Sequence, residues 1–298
     1  MYGSAISVLS EEIILLVRLR EPALELCRLS NIDDRSKASL ETVRILYLPV
    51  LTASSSLSWA VCFDDPGHVP FSKNYQQHPS LHPQSSSSGL STQRPESRID
   101  TRRHLHPVSA AGVVVVVLMY LNQLSGNSRI FDLTVRRRTL LGFSNAQAQA
   151  GAAGTGVGTD LAVPWEKWGP NKTRILEHDS WMCGGSLAGE RRATVLQTHI
   201  TIRDYNPFRV QRALKLFGGA EEVTLESGSV VKVVKEPSVY RRGEWFCDDV
   251  ETRLPYVETT APCKWCNEIL MDKDNLVVVR TEVTQVNGAS ASKDSITD

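Results

Sequence analysis

The chain has 298 residues, 41% hydrophobic and 22% charged, enough for one large domain or two ordinary ones. With 19 Gly, 14 Pro and 33 basic residues against 33 acidic ones, the composition excludes a collagen, an acidic disordered chain and a membrane bundle. A net charge of zero also leaves no basic field for nucleic-acid binding, so no nucleic-acid partner is expected.

At the N-terminus Glu11 and Glu12 precede the apolar run 13–17, and Arg18 and Arg20 follow it, the reverse of an export signal. The longest apolar stretch, residues 113–121, falls short of the roughly 20 residues needed to span a bilayer, so no membrane partner is expected either. The 6 cysteines (Cys27, Cys62, Cys183, Cys247, Cys263 and Cys266) are too sparse for a disulfide framework. Together these features read as an intracellular, reduced protein, cytoplasmic or nuclear, in which the Asn171-Lys172-Thr173 sequon is fortuitous.

Residues 1–71 are expected to be β-rich. The run 13–17 is a short apolar block, Leu24 and Leu26 alternate with polar neighbours, and 42–50 and 57–63 repeat the theme up to a turn at Asp64-Asp65-Pro66-Gly67. Residues 72–107 are polar and nearly free of apolar side chains, which predicts a disordered Ser/Pro/His loop. Its His78, His82, His104 and His106 lack a carboxylate or Cys at ligand spacing and read as scattered loop histidines.

Residues 108–143 are expected to form strands, first 113–120, whose consecutive valines favour a strand buried on both faces, then 129–133 and 140–143. Arg136-Arg137-Arg138 between the last two reads as a solvated strand end. Residues 144–160 are Ala/Gly-rich and read as a linker; their glycines do not follow G-x-G-x-x-G and no Gly-Lys-Ser/Thr follows.

Residues 161–286 are richer in aromatic residues, with candidate strands at 175–176, 180–183, 194–202 and 230–234 and a turn at Trp168-Gly169-Pro170-Asn171. The single predicted helix spans 207–217. Asn206 suits the N-cap, Pro207 the first helical position, Val210, Leu214 and Phe217 share one side, and Gly218-Gly219 closes the end. The tail 287–298 is expected to be disordered.

Cys263-Lys264-Trp265-Cys266 is the sharpest local pattern, since a CxxC can clamp a metal or cycle between thiol and disulfide. Zinc needs four ligands and no second pair stands at ligand spacing, so Cys183 and Cys247 would have to be brought in by the fold. Asp248-Asp249 with Glu251, and Asp272 with Asp274, are acidic clusters that read as turns or solvated edges. The segment 185–189 is not a G-x-S-x-G elbow. No catalytic, cofactor-binding or metal residue is assigned, and no cofactor is expected.

The segment Val163-Pro164-Trp165-Glu166-Lys167-Trp168-Gly169-Pro170 with Thr173-Arg174, then Ile202-Arg203-Asp204-Tyr205-Asn206-Pro207, resembles uncharacterised F-box-like proteins of mushroom-forming fungi. Glu236-Pro237-Ser238, Glu244-Trp245-Phe246, Leu254-Pro255-Tyr256, Met271-Asp272 and Asp274-Asn275-Leu276 extend the likeness over roughly residues 129–282, and more faintly 5–66. In such proteins an F-box helix cluster recruits the Skp1 adaptor of a ubiquitin ligase, and a β-rich, propeller-like region follows.

Leu9-Ser10-Glu11-Glu12-Ile13-Ile14 only echoes an F-box, and Pro22 would break its helix, so the box is expected to be missing and Skp1 is a doubtful partner. The expected fold is thus mainly β, propeller-like or an irregular multi-sheet array and incomplete as a propeller, with one short helix. The expected function is a non-enzymatic protein-interaction protein whose partner is an unknown protein. Its candidate contact loops surround Trp165, Trp168 and Trp245, although most of these tryptophans themselves read as core or blade-packing residues. The rivals are a ubiquitin-ligase substrate receptor with a divergent F-box at 8–30, and a small zinc- or thiol-dependent protein using Cys263 and Cys266.

Overall fold

Apolar residues at every second position need a sheet covered on one face, and the N-terminal segment meets that need by folding back on itself. A computed structural model describes residues 6–31, 37–63, 114–152, 161–178, 184–196, 198–218, 220–263, 266–271 and 275–280. β1 (Ile6–Val8), β2 (Ile13–Arg18), β3 (Ala23–Ser30) and β4 (Ser39–Tyr47) form an antiparallel meander. Along β2 the residues Ile13, Leu15 and Val17 are buried while their neighbours stay partly exposed, an alternation that the uniformly apolar run does not show in the sequence.

β5 (Ser55–Phe63), β6 (Val114–Gln123) and β7 (Ser128–Arg136) form a second meander, and α1 (Arg137–Ala152) leaves it. β8 (Ala162–Val163) joins the first sheet parallel to β4, α2 (Trp165–Trp168) adds one turn, and β9 (Thr173–His178) completes the second sheet beside β7.

A third sheet has the order β10-β11-β12-β17-β14-β13. It uses β10 (Gly184–Ala188), β11 (Arg191–Leu196), β12 (His199–Asp204), β13 (Glu222–Thr224), β14 (Val230–Val234) and β17 (Tyr256–Pro262), with α3 (Pro207–Leu216) between β12 and β13. Two ribbons, β15 (Ser238–Tyr240) with β16 (Val250–Thr252) and β18 (Cys266–Met271) with β19 (Leu276–Arg280), flank these layers. The protein is therefore mainly β, built of several separate sheets, with no closed barrel among the described residues.

The second sheet is the middle layer. Val115, Val117, Met119, Phe131 and Leu133 pack toward the first sheet in the largest core cluster, with Leu15, Leu24 and Leu46. Val114 and Val116 pack the other way, against Leu187, Tyr205 and Tyr256 of the third-sheet region. Each of Val114, Val115, Val116 and Val117 is 0% exposed. Two-sided burial is thus realised at the valine run, in an antiparallel sheet enclosed by two others. At about 1.5–3 kcal/mol for each fully buried aliphatic side chain, this strand is a main source of stability.

Facing the third sheet, the middle layer carries polar groups that must find partners. Arg192 grips Asp132 bidentately, Nε to Oδ2 at 2.9 Å and Nη2 to Oδ1 at 3.1 Å, with His178 Nε2 3.0 Å from the same carboxylate. Burial pushes the Asp132 carboxyl up, but Arg192 and then His178 outweigh that and hold it below its ordinary range. Arg174, 1% exposed, donates to the Leu254 and Glu236 carbonyls and to Ser238, and its guanidinium lies 5.2 Å from the Tyr256 ring centre. Arg203 and Lys232 close on Glu258 at 2.8 Å each.

Several expectations are corrected. Residues 140–143 are not a strand, and the linker expected from 144 is helix as far as Ala152. Arg137, Leu140 and Ser144 fall at helical spacing and are 2%, 0% and 0% exposed, and Arg137 donates to the Leu9 and Val8 carbonyls, so this face is core. The expected strand 194–202 is two strands, β11 and β12, paired as a hairpin. Three helices, not one, occur among the described residues. The expected loop 72–107, tail 287–298, strand 180–183, turn 64–67 and the rest of the linker lie outside the described residues.

The predicted helix is α3, and its ends match the sequence. Asn206 Oδ1 accepts from the Phe208 and Arg209 amides at 2.9 and 3.2 Å, Pro207 stands first, and Gly218 follows at φ +58°. Val210, Ala213, Leu214 and Phe217 seat it on Val233 of β14 and Val257 of β17.

Replacing Asp132 by Ala removes both carboxylate contacts from the buried Arg192 guanidinium, and should cost about 3–5 kcal/mol in a urea titration. The apolar pair Asp132→Leu with Arg192→Met should recover most of that loss; no recovery would mean that the pair is not a separable unit. A second prediction concerns pH. Burial raises the Glu190 carboxyl from an ordinary 4.5 to about 7, against the pull of Arg136. Its contribution to stability is therefore full below pH 4.5 and is lost as pH rises through about 7. Glu190→Gln should flatten that part of the stability profile; an unchanged slope between those values would refute the assignment.

Candidate functional site

A long cleft opens where the first and second sheets meet. Its volume is about 1060 Å³, and it is lined by the β2–β3 turn, the strap after β4, the start of β5 and the entry to α2. A second hollow of about 560 Å³ shares Pro49, Val50, Trp165 and Glu166 with it and continues toward Asp248 and Arg253.

The strap 48–53 leaves β4 at Pro49, which cannot donate to a ladder, and is then held by backbone bonds. Leu48 N donates to Pro22 O at 2.9 Å, Cys247 N to Val50 O at 2.8 Å, and Thr52 N to Trp245 O at 3.1 Å. The Cys247 thiol donates to Leu51 O at 3.1 Å. These bonds leave Val50 standing 66% exposed on the rim.

The opposite wall begins at Pro164, whose extended backbone directs the chain into α2. Trp165 and Trp168 meet edge to face at 5.2 Å, and Trp168 Nε1 donates to Tyr47 O at 2.8 Å, tying the wall to β4. Gly169 is required here, because a Cβ at that position would lie 2.3 Å from the Trp165 ring.

Electrostatically the cleft is uneven. Its floor is apolar, from Leu48, Leu51, Leu57 and Trp165, and Arg20 and Glu21 stand at the end near the β2–β3 turn. Near the second hollow, Glu166, Asp248, Asp249 and Glu251 stand against Arg253. Asp249 takes the Arg242 amide at 2.7 Å and Arg241 at 3.4 Å, and Glu251 pairs with Arg253. Glu166 and Asp248 pair with no cation among the described residues, so this rim is acidic.

The other sequence candidates lie elsewhere. Trp165, Trp168 and Trp245 are 7%, 1% and 7% exposed and belong to the core, as expected for most of them, and of the three only Trp165 lines the cleft. Arg137 is buried and Arg136 donates to Tyr205 O, so the arginine triplet is not a solvated strand end. Ser186 accepts from the Met271 amide at 2.9 Å and stitches β18 to β10.

Cys263 is 5% exposed and disulfide-bonded, which corrects the expectation of a fully reduced chain and of a free thiol at that position. Cys247 serves the strap, and Cys27 and Cys62 are also free. No group of three or more metal-ligating side chains occurs among the described residues. Cys183, Asp272, Asp274 and the loop histidines lie outside them.

An F-box is helical, whereas most of residues 8–30 form β2 and β3, the strand reading made for that block. No helix among the described residues is long and apolar enough to cross a membrane. No family model, curated protein or solved structure matches the chain.

Sequence reasoning picked out Trp165 but missed the cleft, because its walls come from segments more than a hundred positions apart. The signal was the set of prolines at its corners, Pro22, Pro49 and Pro164, each ending a strand-like or polar run. Gly169→Ala forces the new methyl into the Trp165 ring and should cost about 1–3 kcal/mol by thermal or chemical denaturation. A variant as stable as the parent would show that this wall is free to yield.

Proposed function

We propose that the chain is a non-enzymatic protein-interaction protein that docks its partner in the cleft beside Trp165. The observation that carries this reading is a cleft of about 1060 Å³ with an apolar floor, walled by a strap fixed by backbone hydrogen bonds. Such a surface is organised before binding, so little ordering opposes association. The lining offers no nucleophile held by a base and no pair of facing carboxylates within it, whereas turnover requires such groups in mutual reach.

In this reading the stacked meanders act as blades of a propeller-like array, as the F-box-like resemblance implies. The valine strand β6 and the strand β12 belong to different sheets packed face to face, which favours blades over one continuous sheet. The cleft then lies where propellers commonly bind, in loops joining strands at one end of the layers. The ubiquitin-ligase receptor reading is weaker, since β2 and β3 occupy the stretch an F-box would need.

The test is a steric block. Ser56 is exposed on the cleft wall, so Ser56→Trp should fill the space with little effect on the melting temperature. Affinity capture should then lose, in the variant, the partner retained by the parent chain. Equal capture by both proteins would move the binding surface away from the cleft.

A further inference from the structure

We propose that the cleft receives helix α3 of a second copy of this chain, so that molecules associate head to tail. The proposal rests on the cleft reading above and names its occupant.

Helix α3 has two unlike faces. Val210 and Ala213 are 3% and 9% exposed against β14 and β17. Phe208 and Leu216 are 82% and 70% exposed, and with Arg212 they stand four positions apart along one side. Arg209, Arg212 and Lys215 are exposed as well, and the helix contains no acidic residue. Phe208 and Leu216 thus flank Arg212 as two exposed apolar side chains set among three cations.

The cleft is complementary in both respects. Its floor is apolar, Glu166 stands on its rim and Asp248 lines the adjoining second hollow, and neither carboxylate pairs with a cation among the described residues. A short helix lying in an apolar groove, anchored by residues four positions apart and guided by rim charge, is a recurrent mode of recognition. With 33 basic and 33 acidic residues the chains do not repel one another as they approach.

Position in the fold requires the contact to be intermolecular. α3 is fixed to β14 and β17 on the third sheet, while the cleft is built from the first and second. Donor and acceptor surfaces are therefore different patches, and such heterologous contacts form rings or open chains rather than a two-fold dimer.

The experiment is sedimentation velocity of the full chain over a range of concentrations. One variant carries Arg209→Glu with Arg212→Glu, the other Glu166→Lys with Asp248→Lys, and circular dichroism checks that each keeps its fold. The parent should show a mass that grows with concentration. Each variant alone should associate at least roughly tenfold more weakly. Mixing the two should restore association, because the cleft variant keeps a native helix and the helix variant keeps a native cleft. If circular dichroism shows either variant misfolded, Phe208→Ser and Ser56→Trp replace them, with the same complementation expected.

A parent that stays monomeric, variants that associate like the parent, or a mixture that fails to complement would each overturn the proposal. If the parent is monomeric yet Ser56→Trp still loses its partner, the cleft reading survives without this occupant. If Ser56→Trp changes neither capture nor association, both readings fail.

Discussion

The valine strand at the centre of the second sheet has no solvent-facing side, and the rest of the architecture answers to that constraint. A strand enclosed above and below must be covered by two further layers, and one cover has to come from sequence before it and the other from sequence after it. The N-terminal meander supplies the first and β10 to β17 the second. The same enclosure decides which residues can be polar. The face toward the first sheet is apolar at its centre, as Val115, Val117, Phe131 and Leu133 show, while the other face admits the buried Asp132 and Thr134.

That asymmetry has a physical reading. Apolar contact between the first two layers is non-directional, so many relative placements would bury similar area. The bidentate grip of Arg192 on Asp132 and the reach of Arg174 to the carbonyls of Leu254 and Glu236 are directional, and fix how the third layer lies on the second. Buried ion pairs add little net stability over apolar replacements, because desolvation offsets most of the attraction. Their role here is registration, with packing supplying the free energy. Arg174 bridges to the segment just before β15, so the same side chain also locates the β15–β16 ribbon that ends beside the cleft.

Much of this fold was legible where a local rule governs the outcome. A short apolar block located β2, alternation the start of β3, β-branching β6, and the Asn206-Pro207 start and Gly218 end α3, because each rule operates within a few residues. It failed where local composition was ambiguous or the cause was distant. Residues 140–152 lack a β-branched run and contain several alanines, yet glycines masked the helical spacing of Arg137, Leu140 and Ser144. Asp132 and Arg192 lie sixty positions apart, and nothing near either predicts their meeting. Trp165, Trp168 and Trp245 were legible as core residues, since large aromatic rings pack between layers, but the loops around them gave no sign of where the cleft lies.

The cleft follows from the same packing logic. Where the first sheet hands the chain to the second, the turn at Pro22 and the strap after Pro49 cannot both lie flat on the core, since proline interrupts the ladder on either side. The resulting gap would collapse if the strap were free to move. It stays open because Val50 O and Thr52 N are bonded to Cys247 N and Trp245 O, while Trp168, braced on Tyr47 O, holds the facing wall. The groups that keep the gap open are backbone amides and carbonyls, a buried ring and the Cys247 thiol. A hollow so supported is suited to receiving a complementary shape.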